Sequence, residues 1–199
     1  MKKLTQEKLN EMLDQHELWR ENRNIGKRLD ISYCDVSGLD FSNRNMRGSN
    51  MSGAYMRGVN MSGANMRGLN MSGADMRGAY MSDANMSDAN MSGANMRGAD
   101  MSDANMSGAN MRGSNIDYVS LFDATGNSVN IITIQLGKYT VNYTHDRMQI
   151  GCKNYPIKEW FNFSDEKIES MDNRALDWWN KYKYFIKQAI ELTPALKTR

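Results

Sequence analysis

The sequence of 199 residues is poor in the residues that build most catalytic and metal sites, with only two cysteines and two histidines. Cys34 and Cys152 lie far apart, which argues against a disulfide framework and fits a reducing compartment. The sequence also lacks a nucleophile elbow, a P-loop, an HExxH or CxxC motif and a dinucleotide-binding glycine pattern. We therefore predict a protein that is not an enzyme and that needs no cofactor and no metal ion.

An excess of charge and long apolar runs are also missing. The net charge is +2, so the composition does not predict direct binding to nucleic acid or to an anionic membrane. No stretch approaches the roughly 18 apolar residues that a membrane-spanning helix requires. The N-terminal sequence MKKLTQEKLNEML has charges and amides where a signal peptide has its apolar region. These features predict a soluble protein of the cytoplasm, or of the host cytoplasm if the protein is viral.

Methionine is abundant instead, with 18 residues, most of them at a fixed spacing. A methionine occupies every fifth position from Met46 to Met111. The same frame continues on both sides through Ile31, Val36, Phe41, Ile116 and Leu121. Two residues before these positions stands a small or apolar residue, most often alanine, with Arg44 as the exception. The consensus of the repeat is A-N-M-S/R-G.

A period of five matches neither an α-helix nor a flat strand. The alanine and the methionine are two residues apart, so they point to the same side of an extended segment. If the chain turns in the same sense after each segment, four segments form one coil of about 20 residues, and stacked coils lie about 4.8 Å apart. Methionine thioethers can bind Cu(I), but this spacing places every sulfur on the axis, where methionine serves as a flexible core residue. We therefore predict a methionine-lined core.

The run NMSGANMRGLNMSGADMRGA resembles the pentapeptide-repeat family, whose usual unit is A-(D/N)-L-x-x. The resemblance covers about residues 29–121, with methionine where leucine or phenylalanine is usual. It implies a mainly β fold, a right-handed quadrilateral β-helix. The family's best-understood members imitate a DNA duplex and bind DNA gyrase or topoisomerase IV, through a strongly acidic surface. Here residues 29–121 hold seven arginines and nine aspartates, so inhibition of a DNA-processing enzyme is an alternative and not the leading hypothesis.

Residues twenty apart should stack on one side of the rod. Arg57, Arg77 and Arg97 then form a column, which we call the arginine strip, and Tyr55 lies beside it. The strip is either a docking surface for an anionic partner or a solvated surface that keeps the rod soluble. Asparagines with the same spacing are expected to stabilise the stacking of the coils.

The flanking segments predict three units: a capping helix in residues 1–28, the β-helix in 29–123 and a C-terminal unit in 124–199. Residues 4–24 have the pattern of an amphipathic helix with Thr5 as its N-cap, and His16 is expected to have a structural role. Segments 129–136, 139–144 and 147–152 predict a small antiparallel meander, with Cys152 as a core residue at the end of a strand. One long helix is predicted from Ser164 to Leu192.

The last helix carries more aromatic surface than one packing face requires. The residues concerned are Trp178, Trp179, Tyr182 and Phe185. They either pack within the chain or form an interface with a second copy or another protein. The C-terminal segment resembles an extension of phage pentapeptide proteins. The leading hypothesis is therefore a phage- or prophage-encoded binding or scaffold protein that engages a host or viral protein, with a virion component as a further alternative.

Overall fold

The computed structural model describes residues 1–198 and consists of a rod closed by a helix at one end and by a sheet with helices at the other. Between α1 and β1, residues 29–125 form the coils of the rod. The regular elements are α1 (Gln6–Glu21), β1 (Ile132–Leu136), β2 (Tyr139–Tyr143), β3 (Arg147–Ile150), β4 (Lys153–Pro156), α2 (Ile157–Trp160), α3 (Asp165–Glu169) and α4 (Ala175–Leu192).

Each coil has four sides, and parallel bridges join residues that are twenty apart. On one side, the N–H of Met56 donates to the carbonyl of Asp75 at 2.8 Å, and the N–H of Asp75 donates to the carbonyl of Ala54 at 2.9 Å. A two-residue corner separates successive sides, and its second residue has a positive φ. At Gly53, where φ is +62°, an added Cβ would lie 2.5 Å from the ring of Tyr33, so a side chain here would have to displace that exposed ring. The predicted four-sided β-helix is therefore confirmed.

The methionines fill the inside of the rod. Every methionine from Met46 to Met111 is 0% or 1% exposed, and the alanines two residues before them are buried as well. The sulfurs form one continuous apolar core with Ile31, Val36 and Phe41 of the first coil. The prediction of a core role for methionine is confirmed.

Asparagine side chains reinforce the stacking on the outside of one side. Asn70 donates to the side-chain oxygen of Asn50 at 3.3 Å, and Asn90 donates in the same way to Asn70. Asn110 continues the column by donating to Asn90 at 3.3 Å. These hydrogen bonds between coils agree with the prediction that stacked asparagines stabilise the rod.

Helix α1 and the residues before it satisfy the open edge of the first coil. The N–H of Leu4 and the carbonyl of Lys2 pair with the backbone of Asp35. The side chain of Gln6 donates to the carbonyl of Asp40 at 2.9 Å and accepts from its N–H at 2.8 Å, as a neighbouring strand would. The hydroxyl of Thr5 accepts from the N–H of Lys8, which confirms the N-cap. α1 therefore covers backbone that would otherwise invite association between rods.

His16 closes a further edge of the first coil and is fully buried. Its Nδ1 accepts a hydrogen bond from the N–H of Leu29 at 3.1 Å, and its Nε2 lies 3.2 Å from the hydroxyl of Ser49. The ring also stacks on Trp19 with a centroid distance of 5.4 Å. These contacts require the neutral imidazole with its proton on Nε2, and they support the structural role predicted for this histidine.

Acid should destabilise this end of the rod through His16. Burial, followed by the charge of Arg20, lowers the pKa of His16 in the folded protein below its usual 6.5. The unfolded chain therefore binds this proton first, so the stability is complete above about pH 6.5 and decreases as the pH falls towards the folded-state pKa. We expect thermal unfolding measured from pH 7.5 to 5 to show this loss, and His16→Asn to reduce it, because the amide oxygen can replace Nδ1 without titrating. His145→Asn is the control, and an unchanged slope in His16→Asn would contradict the assignment.

The sheet closes the other end of the rod with amide side chains. The side-chain oxygen of Gln149 accepts from the N–H of Leu121 at 2.8 Å, and the amide of Asn142 donates to the carbonyl of the same residue. The amide of Asn154 donates to the carbonyl of Val119 at 3.2 Å. Three consecutive strands thus supply the bonds that a further coil would have made on this side.

The C-terminal unit is a four-stranded antiparallel meander in the order β1-β2-β3-β4, with α2, α3 and α4 packed on it. The sequence predicted three strands, because the turn at Gly151 and Cys152 was assigned to the end of the third one. Cys152 consequently lies exposed in the β3–β4 turn, so the prediction of a core cysteine was wrong. Trp160, Trp179 and Ile186 form the centre of this second core.

The single long helix predicted for residues 164–192 is in fact two helices, α3 and α4. Ser164 does cap α3, since its hydroxyl accepts from the N–H of Lys167 at 3.3 Å. The break follows Glu169, where Asp172 accepts from the N–H of Arg174 and pairs with Lys138 of the β1–β2 turn at 3.0 Å. The hydrogen bond from Lys138 is the largest cause that lowers the pKa of Asp172, to about 2. Side chains of this type compete with helical hydrogen bonds, which explains the interruption.

Candidate protein-interaction surface

The arginine strip occupies the first position of one corner in three successive coils. The N–H of Gly58 donates to the carbonyl of Arg77, and the N–H of Gly78 donates to that of Arg97, each at 3.1 Å. The three arginines therefore stack as their spacing predicts. Tyr55 projects from the adjoining side and is 44% exposed.

Asp75 neutralises the first part of the arginine strip. Its carboxylate lies 2.7 Å from Nε of Arg57 and accepts two hydrogen bonds from Arg77, at 2.8 and 2.7 Å. Arg97 forms no ion pair with any carboxylate in residues 1–198. Within these residues, the arginine of the strip that has no ion pair is therefore the one at its C-terminal end.

The strip continues towards the sheet through a tyrosine that the sequence did not single out. The guanidinium carbon of Arg97 lies 5.4 Å from the ring centroid of Tyr118, and that of Arg147 on β3 lies 5.6 Å from it. Tyr118 is 64% exposed. The signal for it was present: Gly38, Gly58, Gly78 and Gly98 hold the same corner position in the preceding coils.

A different corner carries a carboxylate in each of its last three coils. Asp83, Asp103 and Asp123 stand at its second position in three successive coils, and we call them the aspartate column. Desolvation and then the charges of Asp83 and Asp123 raise the pKa of Asp103 above its usual value. The totals of arginine and aspartate in the repeats are nearly equal, so they did not reveal that the two charges lie on different corners. Comparing residues twenty positions apart would have revealed it.

The aromatic residues predicted on the last helix divide into two groups. Trp179 is 5% exposed and lies between Trp160 and Phe161, so it is not available to a partner. The indole N–H of Trp178 donates to the carbonyl of Leu136 at 2.7 Å.

The other aromatic residues of α4 lie nearer to the solvent. The ring of Tyr182 packs beside Trp178 with a centroid distance of 5.2 Å. Phe185 remains 52% exposed, and its neighbour Tyr184 is 73% exposed. Of the four predicted residues, Phe185 thus presents the largest accessible apolar surface.

The part of the chain from residue 1 to 198 contains no group of three or more His, Cys, Asp or Glu side chains arranged to hold a metal ion. Among the helices of the same residues, none combines the length and apolar character needed to cross a lipid bilayer. The surfaces that stand out are therefore the arginine strip, the aspartate column and the exposed side of α4.

The family model for pentapeptide repeats matches the chain in eight copies, over residues 28–63, 45–83 and 79–117. The chain belongs to the pentapeptide-repeat family. The matched residues are those whose methionines and alanines line the rod, and membership implies the right-handed sense of the coils. A comparison with curated proteins finds no match.

Solved structures of other pentapeptide-repeat proteins resemble this one in part. Rfr23 of the cyanobacterium Cyanothece 51142 is 20% identical, with a TM-score of 0.38 over 53% of this chain and 69% of that one. A protein of the Arabidopsis thaliana thylakoid lumen is 30% identical, with a TM-score of 0.25 over 49% and 71% of the two chains. The plasmid-mediated fluoroquinolone resistance protein QnrB1 is 17% identical, with a TM-score of 0.40 over 48% and 56%.

Proposed function

We propose that this pentapeptide-repeat protein is a non-enzymatic scaffold that binds another protein through the arginine strip and its continuation onto the C-terminal unit. The observation that supports the proposal is Arg97, which has no ion pair within residues 1–198 and contacts Tyr118, the residue that also meets Arg147 of the sheet. A rigid rod presents such groups at a fixed spacing, so little conformational entropy is lost when a partner binds. The partner is expected to be a protein with an acidic surface.

A phage or prophage origin is part of this proposal. It is supported by the resemblance of the C-terminal segment to an extension of phage pentapeptide proteins. In that setting the partner is a host or viral protein of the host cytoplasm. A second copy could also associate through the exposed side of α4, where Tyr184 and Phe185 leave apolar surface uncovered.

Inhibition of a DNA-processing enzyme such as gyrase is the second candidate, and the aspartate column favours it. Three stacked carboxylates form a row of negative charge along the rod, comparable in kind to a phosphate backbone. This surface would attract a basic partner, whereas the arginine strip would attract an acidic one. The two candidates therefore differ in the sign of the charge that matters.

Paired charge-removal variants should separate the two candidates. We expect the triple variant Arg57→Gln/Arg77→Gln/Arg97→Gln to weaken capture of the partner from host lysate at least tenfold. The reason is that it removes the positive charges that would pair with an acidic surface of the partner. Asp83→Asn/Asp103→Asn/Asp123→Asn should leave the captured set unchanged. The recovered proteins would be quantified by mass spectrometry. If only the aspartate variant loses its partner, and that partner is a DNA-processing enzyme, the second candidate replaces the first.

A further inference from the structure

Tyr118 occupies a backbone conformation that the rest of its column reserves for glycine. Its φ is +58°, whereas the residues above it at this corner are glycines with φ between +60° and +71°. A bulky side chain in this region is strained, and among the described residues Tyr33, with φ +56°, is the other aromatic residue that adopts it. The ring nevertheless stays 64% exposed, so burial in the core does not account for it.

Two guanidinium groups converge on this ring. Those of Arg97, from the rod, and Arg147, from the sheet, lie 5.4 Å and 5.6 Å from its centroid. Nε and Nη2 of Arg147 each donate to Asn154 at 3.1 Å, to its side-chain oxygen and its carbonyl respectively, so the orientation of this arginine is fixed. Within residues 1–198 neither arginine lies within ion-pair distance of a carboxylate, so neither guanidinium group is occupied by a salt bridge.

Tyr118 also stands between two hollows on the surface. A shallow groove lined by Arg77, Arg97 and Gly98 lies on one side. A cavity of about 180 Å³ lies on the other, between the last coil and the sheet, and Arg147 and Lys197 contribute to its wall. Tyr118 lines both hollows, so its ring stands between them.

The carboxylates near these hollows limit where an anion can lie. Asp146 lines the cavity, but it accepts from the hydroxyl of Thr144 and lies 3.4 Å from Nδ1 of His145. Asp117 also lines the cavity. These aspartates directly precede Tyr118 and Arg147 in the sequence, so an incoming anion is expected at the guanidinium groups of Arg97 and Arg147 and not deeper in the cavity.

We infer that Arg97, Tyr118 and Arg147 form a cleft that binds the carboxylates of an acidic segment of the partner protein. The inference rests on the proposed function and identifies the point of the surface where the partner is held. The two arginines provide charge-assisted hydrogen bonds to Asp or Glu side chains. Both guanidinium groups lie near the ring of Tyr118, so that neighbouring carboxylates of one segment can reach them.

The test uses hexaglutamate peptide and the full-length protein, with calorimetry at low ionic strength. Arg97→Gln and Arg147→Gln should each weaken binding about 10- to 100-fold, the range for a lost hydrogen bond to a charged group. The matched control is Arg112→Gln, at the same position of the repeat but on another corner, and it should bind within about twofold of the wild type. Tyr118→Gly keeps the corner, because glycine adopts this φ freely, and it should also weaken binding.

Several outcomes would overturn the cleft. If Arg112→Gln weakens peptide binding as much as Arg97→Gln does, the peptide is attracted to positive charge in general. If Arg147→Gln and Tyr118→Gly both bind the peptide like the wild type, the site is excluded. Inorganic phosphate is the second probe: phosphate that saturates the protein when the peptide does not would indicate a small-anion site. If Arg57→Gln/Arg77→Gln alone reduces partner capture, the proposed function stands and only the cleft is wrong.

Discussion

Replacing Met76 by alanine should destabilise the protein by about 2–5 kcal/mol, one of the largest effects of any single substitution in the rod. Met76 is fully buried in a middle coil, between the methionines of the coils above and below. Alanine would leave a cavity that the backbone cannot collapse to fill, because both neighbouring coils are fixed by hydrogen bonds. Urea unfolding followed by circular dichroism measures the change.

Met76→Leu is the matched control for that experiment. The side chain has a similar volume, so we expect a loss below about 1.5 kcal/mol. A thioether with a role in binding metal would be sensitive to both substitutions, while a packing residue is sensitive only to the loss of volume. Near-wild-type stability of Met76→Ala would contradict a close-packed interior.

Removal of an amide at the closed end of the rod should have the second large effect. Gln149→Ala leaves the N–H of Leu121 without its acceptor in a site where Gln149 is only 4% exposed. An unpaired buried N–H costs about 1–3 kcal/mol. The exposed edge should also promote association of rods, which light scattering would detect as an increase in mass at higher protein concentration.

Gln15→Ala serves as the control, since Gln15 is exposed on α1 and the same atoms are removed. Its stability should stay within about 0.5 kcal/mol of the wild type. If the two variants unfold alike, the amides of the sheet do not close the rod. Combining Gln149→Ala with Asn142→Ala tests the same point, because both side chains bond to Leu121.

The repeat could be predicted because each of its units contains the same information. The spacing of Met46, Met51 and their successors determines which side chains point inwards, and one coil then defines all others. The position of the arginine strip follows from the same spacing, because residues twenty apart lie on the same side of the rod. Its pairing with Asp75 requires side-chain conformations, so the location of the free charge at Arg97 could not be read from spacing alone.

The C-terminal unit has no period, and there the prediction was less complete. Hydrophobic pattern located the first three strands, but the strand after Gly151 has only four residues, begins with two polar ones and ends in proline, so the pattern did not show it. The helix break depends on Asp172 reaching Lys138, which lies far away in the chain. The cleft joins Tyr118 and Arg147 from separate units, and no local motif connects them.

Both ends of the solenoid are closed by segments outside the repeats, and this has a consequence for its evolution. Gln6 and His16 contact only the first two coils, while Asn142, Gln149 and Asn154 contact only the last. Tandem duplication or deletion of twenty codons would change the number of interior coils and leave both terminal contacts intact. The length of such a protein can therefore change in steps of about 4.8 Å, the spacing of one coil, while its two terminal units stay the same.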